Sequence, residues 1–122
     1  MSQKGIARGF LMLAASGRAK DAFAQYVGED FRHHNGHFAG DADTLMTAMD
    51  ENAKQFPGKT LEVKIAIEEG DKVATFSKVV HSPNEKGAAV VHIFRFADGK
   101  IAELWDVGQA IPDDSPNQNG MF

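Results

Sequence analysis

The chain has 122 residues, of which 43% are hydrophobic and 25% are charged, a composition typical of one globular domain with a single core. Its net charge of -4, with basic residues scattered along the chain, argues against a nucleic-acid-binding surface, and the absence of cysteine excludes disulfides and thiolate chemistry. No run of residues approaches the roughly 18 apolar side chains that a membrane span needs, so we expect no membrane insertion and a cytoplasmic location.

The first third of the chain is predicted to be helical. Apolar side chains recur at the spacing of an amphipathic helix in residues 2–15 and again in residues 18–27. A third helix is expected to begin at Asp41 or Asp43, either of which can cap its first turn, and to end before Pro57. Between the second and third helices lies a segment rich in His, Asn and Gly, for which we expect an irregular conformation.

From residue 59 onward the apolar period changes from 3.6 to 2, which predicts a meander of four antiparallel strands. Strict alternation places four apolar side chains on one face of the first of these strands: Leu61, Val63, Ile65 and Ile67. Tight turns are expected at Gly70-Asp71 and at Asp98-Gly99, and a longer loop at residues 82–87. Residues 112–122 are polar and are predicted to form a tail.

The hairpin of residues 89–109 contains the two residues that first suggest a function. An ionisable side chain interrupts each of its apolar strands, His92 in the first and Asp106 in the second. Strict alternation assigns Ile101 and Trp105 to the face opposite Asp106. His92 and Asp106 are therefore candidates for a site on the other face of the sheet.

Three amphipathic helices and a four-strand meander are combined with an HHNG motif at residues 33–36 and an ending of the type F-x-DGKIAELWDVGQ-x-x-P. This combination resembles the SnoaL-like branch of the NTF2-like superfamily. The resemblance implies an α+β fold, a cone-shaped barrel in which N-terminal helices pack on a curved, mainly antiparallel sheet. Residues 1–122 then form a single domain, with a deep pocket between the helices and the sheet.

Members of this branch include polyketide cyclases that catalyse an intramolecular aldol condensation, and the resemblance implies roles for residues of this chain. Asp106 matches the general acid/base, and His92 falls where a polar side chain lines the pocket. His34 and Asn35 match motif residues that reach the pocket. We therefore expect a lyase or isomerase that acts on a carbonyl compound by aldol-type cyclisation or enolisation. Such chemistry needs no metal or cofactor where two carbonyl groups acidify the substrate, and none is predicted.

The expected ligand is a hydrophobic small molecule, because apolar and aromatic side chains are predicted to line the pocket. The predicted substrate-binding residues are Phe31, Phe38, Leu45, Met49, His81 and Phe94, with Phe10 and Phe23 as further wall candidates. Three imidazoles of the HHNGH segment are close in sequence, but their spacing on an irregular loop does not favour a metal site. His33 and His37 are instead expected to be solvated.

The sequence leaves other interpretations open. Asp106 and His92 are compatible with a structural pair that bridges two strands, and His34 and Asn35 with a turn that bonds its own backbone. On that interpretation the chain is a small-molecule binding module without catalysis, or a structural dimerisation domain whose pocket has collapsed.

The sheet face opposite Asp106 is predicted to be an interaction surface. Trp105 shares this face with Val91, Ile93 and Val107, and an apolar patch of this kind requires a partner if no helix covers it. A second copy of the chain is the simplest partner, so we expect a homodimer formed through the face that carries Trp105.

Overall fold

The fold is known from a computed structural model, which describes residues 2–122. Three helices pack on one face of a curved five-strand sheet, which gives the predicted α+β cone. In chain order the elements are α1 (Gln3–Ala15), α2 (Ala19–Tyr26), β1 (Val27–His33), α3 (Ala42–Gln55), β2 (Thr60–Glu69), β3 (Lys72–Val80), β4 (Ala88–Ala97) and β5 (Lys100–Ala110). The strand order is β1-β5-β4-β3-β2, and the sheet is open rather than closed into a barrel. The predicted single domain includes Met1, which lies outside the described residues.

Polar side chains start α1 and α3, as the sequence predicts. Ser2 caps α1, because its Oγ accepts a hydrogen bond of 3.0 Å from the Gly5 N–H. Of the two candidate caps of α3 the structure selects Asp41, whose carboxylate accepts from the Thr44 N–H at 2.9 Å. None of the helices within residues 2–122 has the length and apolar character needed to cross a membrane. The cytoplasmic location stays a prediction.

The structure contains a strand that the sequence pattern did not indicate. The prediction of an irregular segment after α2 is wrong for β1, which lies at the sheet edge and pairs in parallel with β5. Its pairing is interrupted between Val27 and Arg32, and its exposed residues are polar, so the segment lacks the period of a strand. A parallel strand depends on a partner that is distant in sequence, and local pattern does not reveal it.

Both predicted tight turns are confirmed. Asp98 and Gly99 have φ values of 53° and 76°, the left-handed conformations that a primed two-residue hairpin turn requires. The pairing of Glu69 with Lys72 likewise encloses a two-residue turn at Gly70-Asp71.

A bulge in β5 changes the face on which its residues lie. Phe96 pairs with Ile101, but Arg95 pairs with Glu103, so Ala102 is one extra residue in β5. The prediction that Ile101 lies on the face opposite Asp106 is therefore wrong, because Ile101 is fully buried in the core on the helix side of the sheet. Beyond the bulge, the register brings His92 directly opposite Asp106.

A second bulge divides β2 in the same way. Val63 pairs with Ser77 and Ile65 with Phe76, which leaves Lys64 as the extra residue. Val63 therefore packs toward the helices, whereas Ile65 and Ile67 point to the opposite face and are 51% and 62% exposed. The prediction that these apolar side chains share one face is wrong, because a single inserted residue reverses the alternation.

Four phenylalanines form the centre of the core between the helices and the concave face of the sheet. Phe10 contacts Phe23 and Phe94 edge to face, with ring centroids 5.3 and 6.0 Å apart. Phe23 in turn contacts Phe31 at 5.7 Å. This cluster joins α1 and α2 to β1 and β4 and fills the space beside the cavity described below.

The polar tail returns to the convex face, on the side of the sheet away from the helices. The ring of Phe122 lies 5.4 Å from that of Phe76, and the ammonium groups of Lys64 and Lys78 each lie 5.8 Å from its centroid. The tail therefore packs beside β2 and β3 rather than over the helix side of the sheet.

We predict that Phe10→Ala lowers the free energy of unfolding by about 3 to 5 kcal/mol, because Phe10 is fully buried and its removal leaves a cavity. Met12→Ala on the same helix is the matched control, since Met12 is 51% exposed and its loss is expected to cost less than about 0.5 kcal/mol. Urea unfolding of both variants measures the difference. Equal destabilisation by the two substitutions would contradict this assignment of the core.

Candidate functional site

A cavity of about 460 Å³ lies between α1, α3 and the concave face of the sheet, beside the loop that follows β1. Most of its wall is apolar. It is lined by seven of the ten residues that the sequence predicts for the site: Asn35, Phe38, Leu45, Met49, His81, His92 and Asp106. A volume of this size accommodates a small organic molecule.

Asp106 is held at the cavity wall by a neighbour from the loop after β1. The Asn35 Nδ2–H donates a hydrogen bond of 3.0 Å to Asp106 Oδ2. Asp106 takes part in no ion pair with any residue of the described chain. One hydrogen bond from the Asn35 side-chain amide therefore orients the carboxylate, and no cationic side chain of the described residues lies within 4.0 Å to neutralise it.

His92 lies opposite Asp106 on β4 and is only 7% exposed. Burial lowers the pKa of His92 from 6.5 to about 4, although the negative charge of Asp106 acts in the opposite direction. The charge of Lys59, which also lines the cavity, lowers this pKa further. The imidazole is therefore neutral at pH 7, and one of its nitrogens can donate a hydrogen bond.

His33 fixes the loop that carries Asn35. Its Nε2–H donates to the Ala39 carbonyl at 2.7 Å, and its Nδ1 accepts from the Asn35 N–H at 3.2 Å. The Asn35 side-chain oxygen then accepts from the His37 N–H at 2.9 Å, which closes a turn. The expectation that His33 is solvated is wrong, because it is 5% exposed and joins both ends of the loop. His37 is exposed and lines the cavity mouth.

His34 does not line the cavity. It continues β1 by donating its backbone N–H to the Leu104 carbonyl, and alternation along the chain turns its side chain to the convex face. There the His34 Nε2–H donates to the Glu103 carboxylate at 2.5 Å, and the ring stacks on Trp105 at 5.0 Å. The side chains of His34 and its sequence neighbour Asn35 therefore lie on opposite faces of the sheet.

Glu103 is the centre of a group of ion pairs that the sequence pattern does not indicate. It is 6% exposed, and its carboxylate accepts from His34, Arg32 and Arg95. The hydrogen bond from His34 and those from the two arginines lower the pKa of Glu103 to about 2. Arg95 and Glu103 are opposite charges on the two strands of one hairpin, and this pair was the feature of the sequence that could have indicated the ion pair.

Two predicted wall residues, Phe31 and Phe94, lie in the aromatic core rather than on the cavity. Phe10 and Phe23, the further wall candidates, lie in the same cluster. Phe94 is fully buried between Phe10 and the ring of His92, which is stacked 6.1 Å away. These four side chains are buried in the core and do not line the cavity.

Residues 7–104 match the family model of the SnoaL-like domain. The chain belongs to the SnoaL-like family. AclR, a proposed hydroxylase from Streptomyces galilaeus, is 23% identical with a TM-score of 0.71, and the alignment covers 87% of each chain. A proposed isomerase of the SnoaL-like family from Agrobacterium tumefaciens is 12% identical with a TM-score of 0.73, covering 90% of this chain and 100% of that one.

An NTF2-like protein from Cytophaga hutchinsonii is 15% identical with a TM-score of 0.72, and the alignment covers 89% of this chain and 91% of that one. At such identities the likeness establishes the NTF2-like fold alone. No match to this chain was found among curated proteins.

The cavity wall also contains two polar residues that the sequence pattern does not indicate, Asn52 and Lys59. Asn52 lies on α3, and Lys59 lies in the connection between α3 and β2. The Lys59 Nζ donates to Asn52 Oδ1 at 2.7 Å. Neither residue interrupts an apolar pattern, so only the fold reveals that both face the cavity.

A polar row crosses the SnoaL-like sheet on the concave face. Thr75 on β3, His92 on β4 and Asp106 on β5 are consecutive partners in the strand register. The hydroxyl of Thr75, that of the nearby Ser77 and the His92 Nδ1 are buried without a hydrogen-bond partner among the residues that the structure describes. Unpaired buried groups are rare in folded proteins, and of these three residues His92 lines the cavity.

The three imidazoles of the HHNGH segment point in different directions. His33 donates to a loop carbonyl, His34 to Glu103 on the convex face, and His37 lies at the cavity mouth. Within residues 2–122, no three His, Asp or Glu side chains are grouped so that they could hold a metal ion.

We predict that the buried neutral His92 lowers the free energy of unfolding as the pH is lowered from 6.5 toward 4. Below pH 6.5 the unfolded chain binds a proton at this position and the folded chain does not, until the pH reaches the folded pKa of about 4. His92 therefore removes up to about 1.4 kcal/mol of stability per pH unit within this window. His92→Gln is expected to flatten this part of the profile, whereas the exposed-loop control His37→Gln is not. Urea unfolding between pH 7 and pH 5 measures the slopes, and a His92→Gln slope equal to that of the wild type would contradict the assignment.

Proposed function

We propose that the protein is a small-molecule lyase or isomerase that uses Asp106 as general acid/base on a carbonyl compound. The observation that carries this proposal is the placement of the Asp106 carboxylate, held by Asn35 in the wall of a mostly apolar cavity and opposite a buried neutral histidine. The proposed ligand is a hydrophobic small molecule.

In the proposed reaction, Asp106 removes a proton from the carbon beside the substrate carbonyl. The electrons of the broken C–H bond form a carbon–carbon double bond, and the carbonyl oxygen becomes an enolate. The N–H of neutral His92 and the second Nδ2–H of Asn35 are the proposed donors to that oxygen. Apolar walls strengthen these hydrogen bonds, because little water competes with them.

Two products follow from the enolate. Where the substrate has a carbon–carbon double bond between its β- and γ-carbons, the enolate is a dienolate, and protonation by Asp106 at the γ-carbon moves the double bond and completes an isomerisation. In an aldol-type cyclisation, the enolate carbon instead forms a bond to a second carbonyl carbon of the same molecule, and the resulting alkoxide takes the proton from Asp106. The carboxylate is regenerated in both cases, so the residue acts first as base and then as acid.

The geometry supports catalysis over the alternatives that the sequence left open. A binding module would be expected to neutralise Asp106 by an ion pair, and in the described chain the carboxylate has only its hydrogen bond from Asn35. A purely structural domain would be expected to fill its cavity, and here about 460 Å³ stays open beside the phenylalanine cluster. His34 is omitted from the mechanism because it lies on the convex face.

The proposed isomerase among the structural neighbours is consistent with this reaction class. The proposed hydroxylase shows that similar folds are linked to different chemistry, so the argument for this chain rests on its own residues.

We also propose that two copies associate through the convex face. Ile93 and Val107 are 36% and 72% exposed, and Trp105 lies directly opposite Ile93 in the register. The neighbouring charges of Arg95 and Glu103 are already paired within the chain. Two such faces can therefore meet by a two-fold axis without bringing unpaired like charges together.

We expect wild-type protein to accelerate solvent deuterium exchange at the α-carbon of members of a panel of β-dicarbonyl and cyclic ketone compounds, followed by NMR. Asp106→Asn is expected to lower the accelerated rate by about 100-fold to 10,000-fold, the usual contribution of a general base. Asp30→Asn is the matched control, because Asp30 is exposed on β1. Binding of panel members without acceleration would favour the non-catalytic binding module, and full activity of Asp106→Asn would remove Asp106 as the base.

Val107→Glu is expected to convert the proposed dimer to a monomer, because it places two carboxylates in the centre of an apolar interface. Met12→Glu introduces the same charge on the exposed side of α1 and is expected to leave the assembly intact. Analytical ultracentrifugation distinguishes the two masses. A monomeric wild type at micromolar concentration would contradict the dimer.

A further inference from the structure

Lys59 is the lysine of the cavity wall. It is half-buried, and its one hydrogen bond to a side chain joins Nζ to Asn52 Oδ1 at 2.7 Å. An ammonium group has three N–H donors, so two more can serve a ligand. Burial lowers the pKa of Lys59, which shows that the surrounding apolar wall disfavours its charge.

No acidic side chain in the described part of the chain lies within ion-pair distance of Lys59. Among residues 2–122, Asp106 is the one acidic residue of the wall, and it accepts a hydrogen bond from Asn35. His81, another wall residue near this end of β3, has Glu85 as its own acidic partner at 3.3 Å. A partly desolvated cation without a counterion is costly, and an anionic ligand would remove that cost.

Lys59 and Asp106 belong to opposite sides of the cavity. Asp106 lies on β5 and Lys59 directly precedes β2, and β4 and β3 separate these two strands in the sheet. Three strand spacings correspond to about 14 Å along an uncurved sheet. The wall between them is apolar and includes Leu61, Val79 and Val90. A ligand that fills this cavity therefore meets a base at one end and a cation at the other.

We propose that Lys59 and Asn52 form a subsite for the acidic group of the ligand, so that the cavity selects apolar keto acids over neutral ketones. The carboxylate accepts from the Lys59 ammonium and from the Asn52 amide, the apolar body contacts the intervening wall, and the ketone reaches Asp106 and His92. The inference rests on the proposed function for the orientation of the ketone, and it adds the chemical class of the substrate.

The test compares a matched pair of probes, 8-oxo-8-phenyloctanoate and 8-oxo-8-phenyloctanamide, which differ in charge and share the phenyl ketone. Six methylene groups separate the acidic or amide group from the ketone, so the apolar body of each probe lies between its two polar ends. Dissociation constants are measured by NMR titration of wild-type protein and of Lys59→Met, Lys59→Gln and Lys59→Arg. Wild type is expected to bind the acid about tenfold more tightly than the amide, the value of one charge-assisted hydrogen bond. Lys59→Met and Lys59→Gln are expected to bring the ratio close to one, and Lys59→Arg to retain most of it.

Lys20→Met is the control for a change of net charge, because Lys20 is exposed on α2 and is expected to leave the ratio unchanged. The amide spectrum of each variant reports whether it is folded, and either neutral substitution suffices for the test. A wild type that binds both probes equally or neither of them, or an unchanged ratio in the folded neutral variants, would overturn the subsite.

Asp106→Asn separates this inference from the proposed reaction. It is expected to keep the preference for the acid while it loses deuterium exchange. A retained preference in wild type without any exchange would overturn the proposed catalysis and leave the anion subsite in place. Deuterium exchange by a wild type that does not prefer the acid would overturn the anion subsite and leave the proposed catalysis in place.

Discussion

The site depends on one extra residue in β5. The two-residue turn at Asp98-Gly99 sets the register of the hairpin, and continued without interruption this register would place Trp105 opposite His92. Ala102 is the bulge that shifts the register, so Asp106 faces the cavity and Trp105 faces away. The chemistry of the concave face and the apolar character of the convex face thus have one common cause.

Two consecutive residues after β1, His34 and Asn35, form hydrogen bonds on opposite faces of the sheet. His34 is bound on the convex face by Glu103 and by the ring of Trp105, and the next residue, Asn35, holds Asp106 on the concave face. Glu103 thereby fixes the backbone from which Asn35 reaches the carboxylate. His33 completes the arrangement by closing the loop behind them. The position of the Asp106 carboxylate therefore depends on hydrogen bonds on both sides of the sheet.

The distribution of polar groups gives the cavity two ends. Phenylalanines fill the space beside it, so a ligand has access only between the polar row and the helices. The carboxylate of Asp106 and the neutral imidazole of His92, the proposed base and donor, lie on one side, and the ammonium group of Lys59 lies on the other. Apolar walls between them suit a ligand whose polar groups are separated by a hydrophobic body.

The sequence was enough to predict the three helices, both tight turns and the α+β class, because these follow from local periodicity, from caps and from turn residues. It also indicated His92 and Asp106, as ionisable side chains that interrupt two apolar strands, and Asn35 through the resemblance of its motif. The direct pairing of His92 with Asp106 depends on the bulge at Ala102. Only the tertiary structure revealed the parallel strand β1, the bulges at Lys64 and Ala102, the convex position of His34, and Lys59 in the cavity wall. These features depend on register and on contacts between residues distant in sequence, and a one-residue shift in register reverses which face a side chain occupies.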